Sequence, residues 1–111
     1  MARAVATAVQ VERRRSERNS WRIPLIVSWT REKTLTVREQ GETEVVSAHG
    51  ALLKISTRVP QGDIVTLMRP GGNPAKLARV ATILGRDADG RLRLAVELDT
   101  PSLEFWVELA R

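Results

Sequence analysis

Cysteine is absent from this chain, which removes disulfide frameworks and thiolate metal sites and suits a reducing cytoplasm. Histidine is nearly absent too. His49 is the only one, so a His-based catalytic triad would rest on a residue in an expected turn, and no enzymatic activity or metal site is expected. No apolar run approaches the ~18 residues of a membrane-spanning helix, and the N-terminus lacks the continuous apolar core of a signal peptide. The expectation is a soluble cytoplasmic protein without membrane insertion. Aromatic residues are limited to Trp21, Trp29, Phe105 and Trp106. Single-strand nucleic-acid barrels present several aromatics on adjacent strands, whereas Trp29 and Trp106 fall on expected core faces. A basic small-barrel nucleic-acid binder is therefore a secondary reading.

The 111 residues suffice for one domain with a real core. The net charge is +5, but it is unevenly placed. Residues 1–22 hold six arginines against two glutamates, or +4, leaving +1 for the other 89 residues. Every basic residue in the arm is Arg, whose planar fork matches phosphate and the edge of guanine. An anionic partner bound near the arm follows.

Residues 1–17 carry no clear turn signal and are expected to form a weak helix or mobile arm preceding a barrel over 18–111. From Trp21 the period becomes two, with Ile23, Leu25, Val27 and Trp29 on one face. Further short runs follow, with "KTLTVRE" and "ETEVVS" flanking Gln40-Gly41, and "RLRLAVEL" closing the series after the hairpin signal Asp89-Gly90. Six or seven short strands predict a small antiparallel barrel or sandwich. In the tail, Thr100 suits an N-cap, Pro101 the first helical position, and Leu103, Trp106, Val107 and Ala110 one helix face. The acids fall mostly at turns, and "PGGNP" lacks the Lys and following helix of a phosphate-binding loop.

Two spacings remain. Arg18-x-x-x-Arg22 immediately precedes the first strand, and Ser47-x-x-Gly50 closes a hairpin about 25 residues later. In this order, over about residues 13 to 107, the chain resembles the PilZ domain family of bacterial six-stranded β-barrels that bind cyclic di-GMP. That family pairs an Arg-x-x-x-Arg loop with Asp/Asn-x-Ser-x-x-Gly. The tail "TPSLEFW" also sits where PilZ-like chains often carry such a segment. Two positions depart from the pattern: Glu17 stands where relatives often carry another Arg, and Val45 holds the place of the Asp or Asn.

The resemblance implies a six-stranded antiparallel β-barrel with a short C-terminal helix, acting as a cyclic di-GMP receptor or adaptor. Arg18 and Arg22 would meet phosphate or guanine, and Ser47 would hydrogen-bond a base. Gly50 would allow a positive φ or a close backbone approach. Ligand binding would order the Arg arm and offer a changed surface to an unidentified protein partner. Losing an acceptor at Val45 costs about 1.5–3 kcal/mol, or roughly ten- to a hundredfold in affinity. A PilZ-like interaction module that no longer binds the nucleotide is thus the alternative. Glu44 would reach the face of Val45 and Ser47 only through a β-bulge.

Overall fold

The computed structural model describes residues 17–111. The expected N-terminal arm, apart from Glu17, lies outside the described residues. Six strands form: β1 (Pro24–Arg31), β2 (Leu35–Val46), β3 (Gly50–Ile55), β4 (Ile64–Met68), β5 (Ala75–Arg86) and β6 (Leu92–Leu98). Helix α1 (Leu103–Ala110) follows them. All pairings are antiparallel, in the order β1-β2-β3-β6-β5-β4, and β4 returns to pair with β1. The barrel is therefore closed and leaves no strand edge to aggregate. No helix among the described residues is long and apolar enough to cross a membrane.

Alternation along each strand builds the core. Leu25, Val27 and Trp29 of β1 point inward with Leu53 and Ile55 of β3, Val65 and Leu67 of β4, and Leu92, Leu94, Val96 and Leu98 of β6. Ile23, just before β1, is buried with them. Pro24 occupies the first position of β1, where its missing N–H costs no ladder bond. The Asp89-Gly90 turn joins β5 to β6, with Gly90 at φ 83° and its amide donating to the Asp87 carbonyl at 3.0 Å.

Three expectations need correction. The runs on either side of Gln40-Gly41 are one continuous strand, β2. Gly41 serves close packing there, not a turn: a Cβ on it would lie 2.6 Å from the Lys54 carbonyl oxygen of β3. The helix is capped by Ser102, whose hydroxyl accepts from the Phe105 amide at 3.1 Å. The Thr100 hydroxyl instead faces Asp99 and accepts from Lys76. Finally, α1 buries Phe105, Trp106 and Leu109 while Leu103 and Val107 stay exposed. Two adjacent aromatic rings carry more apolar area than Leu103 and Val107 together, so they set the buried face. The rings meet edge to face, with centroids 5.0 Å apart.

Candidate ligand site on the outer face of the barrel

The segment bearing the two arginines extends β1 irregularly along the end of β2. Asn19 and Val46 exchange both backbone hydrogen bonds at 2.8 Å, fixing the residue next to Arg18. Near Arg22 the anchor is a side chain. The hydroxyl of Thr43 accepts from the Ile23 amide at 2.8 Å and donates to the Trp21 carbonyl, while its own amide donates to the Ile23 carbonyl at 3.0 Å. Thr43 is the buried polar residue of the core. It holds the backbone on both sides of Arg22, and both arginine side chains stay exposed. A lone Thr in a strand gives no signal of this role in the sequence.

The second half of the site is the turn from Ser47 to Gly50. The Ser47 amide donates to the Gly50 carbonyl at 2.9 Å, and the His49 amide reaches the Ser47 hydroxyl at 3.3 Å. Outside bonds then lock the turn. The Leu98 amide donates to the His49 carbonyl at 2.8 Å, the Ser102 amide to the Ala48 carbonyl at 2.7 Å, and the Trp106 indole to the Ser47 carbonyl at 2.7 Å. Gly50 is required by close approach rather than by a positive φ: a Cβ there would lie 2.0 Å from the Val96 carbonyl oxygen. The turn is thus seated directly on β6, and any side chain at position 50 would push it off.

Between these halves β2 bulges. Thr43 pairs with Leu53 and Val45 with Leu52, so Glu44 is an extra residue on its strand. Thr43 and Val46 both point inward with no exposed surface. Glu44 and Val45 consequently both lie on the outside, where strict alternation would have separated them. The expected obstacle to Glu44 is therefore removed by a bulge that the sequence does not announce. Its carboxylate accepts from Arg93 Nε at 2.9 Å.

A surface cavity of about 390 Å³ opens here, and Arg18, Val45, Ser47 and Gly50 all line it. Three of the four residues singled out in the sequence thus share one concavity with Val45. Arg22 does not line it. Leu52, Ala81, Leu84 and Ala95 supply an apolar floor from β3, β5 and β6, and Glu97 stands on the wall. Glu97 is paired with Arg79 at 3.1 Å, both half-exposed. Single Leu and Ala residues on the outside of a strand look unremarkable in a sequence, so the floor was not legible there.

The charged rows beside the cavity are internally matched. Arg91 meets Glu42 at 3.1 Å and Lys54 meets Asp87 at 2.8 Å. The hydrogen bond to Glu44, and then its charge, raises Arg93 above the usual guanidinium value. No group of three or more His, Cys, Asp or Glu suited to a metal occurs among the described residues.

Strand order, barrel closure and the helix packed after β6 define a PilZ-like fold. Among solved structures, the chain is similar to the PilZ domain of YcgR from Escherichia coli, a structure containing c-di-GMP. The TM-score is 0.57, at 20% sequence identity over 87% of this chain and 86% of that chain. At this identity the likeness establishes the fold. No protein-family model matches the sequence, and no curated protein matches it significantly.

Proposed function

We propose that this protein is a receptor or adaptor that binds cyclic di-GMP on the outer face of its barrel and signals through protein contacts. The observation that carries this reading is the convergence of Arg18, Val45, Ser47 and Gly50 on one cavity. The PilZ-like fold, shared with a solved PilZ domain whose structure contains c-di-GMP, supports it.

The chemistry suits a ligand with two phosphates and two flat purines. Arg18 at the cavity and Arg22, four residues on and outside its lining, are both exposed on backbone that is held by hydrogen bonds to β2. Their guanidinium groups can therefore turn to phosphate oxygens or to the O6/N7 edge of guanine. The apolar floor accepts a ring face, and the Ser47 hydroxyl offers a hydrogen bond to the base. With the nucleotide held at Arg18 and Ser47, the outer face offers a changed surface, and that surface is what a partner protein reads. Val45 supports one other reading, a PilZ-like interaction module without nucleotide affinity.

Isothermal titration of cyclic di-GMP into the wild type, Arg18→Ala and Arg22→Ala separates the two. The receptor reading expects wild-type binding and a loss of about tenfold or more in each variant, since each removes a charge-assisted hydrogen bond. Absence of wild-type binding contradicts it. Binding of single-stranded RNA or DNA with a steep salt dependence would instead favour the nucleic-acid reading.

A further inference from the structure

The bulge in β2 changes which side chain can read a base. Val45 lies opposite Leu52, and Leu52 opposite Ala95, forming an apolar row across the outer face of β2, β3 and β6. The next row is charged: Glu42, Lys54 and Arg93, in the same cross-strand register. Glu44, the extra residue, belongs to neither row. Its carboxylate is bonded to Arg93 of the charged row, and Glu44 itself does not line the cavity but directly precedes Val45, which does. The side chain retains 21% of its exposure. Arg93 Nε engages one oxygen, Oε2, and a carboxylate has about four lone-pair sites, so acceptor capacity remains.

We infer that Glu44, rather than the residue at position 45, is the acceptor that selects guanine in this protein. The inference rests on the ligand reading proposed above. A guanine lying on Val45, Leu52 and Ala95 would present its N1–H and N2–H₂ donors at its edge, and a carboxylate accepts two parallel donors side by side. Adenine presents an acceptor nitrogen at the same place and would face a negative charge with no hydrogen to offer. Arg93 acts as a positioning residue, fixing the carboxylate rotamer before the ligand arrives. Val45 then becomes part of the seat for the ring face. An acid at position 45 is dispensable because the bulge supplies one from the preceding residue.

Isothermal titration with cyclic di-GMP and cyclic di-AMP tests this on the wild type, Glu44→Ala, Glu44→Gln, Val45→Asp and the double variant Glu44→Ala/Val45→Asp. Thermal melts confirm that each protein is folded. The expected result is a wild type that prefers cyclic di-GMP, with a loss of about tenfold or more in Glu44→Ala. Glu44→Gln keeps the side-chain length and should also lose preference for guanine over adenine. Val45→Asp in the Glu44→Ala background should restore the preference, whereas Val45→Asp made in the wild type should change affinity by no more than about twofold because Glu44 already supplies the acceptor. A tightening of about tenfold or more there would overturn the inference. If the wild type binds and Glu44→Ala stays within about twofold of it with the same preference, the inference is overturned while the receptor reading stands. A wild type that binds neither nucleotide overturns both.

Discussion

The indole Nε1 of Trp106 donates to the backbone carbonyl of Ser47 across 2.7 Å, so the helix at the end of the chain holds the turn that carries Ser47 and Gly50. Trp106 is fully buried, and it serves both as core and as a strut for the site. Trp106→Phe keeps most of the ring but removes the donor and leaves a small cavity. Destabilisation by about 1–3 kcal/mol is expected in urea unfolding, together with weaker nucleotide binding through a loosened turn. Unchanged stability and affinity would show that the strut is unnecessary.

Thr43 gives a second test, because one hydroxyl serves the backbone on both sides of Arg22. Thr43→Val preserves shape and deletes that oxygen, leaving the Ile23 amide without its acceptor. The cost should be about 1–3 kcal/mol. Amide hydrogen exchange should quicken at Ile23 and across the arginine segment, while the β6 amides change only in line with global stability. Equal acceleration everywhere would mean that Thr43 acts only as core.

The β5–β6 turn sets an acid dependence. A hydrogen bond shared with Asp89, and then the Lys54 ammonium, hold the Asp87 carboxyl well below its ordinary value of 3.8. A carboxyl depressed in the folded state adds stability above its unfolded value, and that stability is lost as pH falls through the folded value. Asp87→Asn should therefore melt below the wild type at about pH 7, and the gap should narrow as the pH drops below the unfolded carboxyl value. A gap that is constant or widens on acidification would contradict the assignment.

Much of the barrel was readable because burial imposes period two. Leu92, Leu94, Val96 and Leu98 alternate without interruption, and the structure buries all four. Glycine was harder to read, since a Gly that turns the chain and a Gly that lets two strands touch look alike in sequence. Gly41 belongs to the second kind. The site was half legible: Arg18, Ser47 and Gly50 stood out by spacing and share a cavity. The bulge at Glu44 has no local signature, and Thr43 reaches Ile23 across 20 residues. Such partners emerge only when the barrel closes. The side chains buried by α1 depended likewise on what the barrel presented to it, beyond the reach of helical spacing alone.

The central claim is that the outer-face cavity binds cyclic di-GMP, and a heteronuclear NMR titration of the ¹⁵N-labelled protein tests it most directly. The amides of Arg18, Val45, Ser47, Gly50, Leu52 and Ala95 should shift together and saturate with one affinity, while those in the middle of β1 and β4 should move little. An unchanged spectrum at saturating nucleotide, or shifts centred on β1 and β4, would contradict the account.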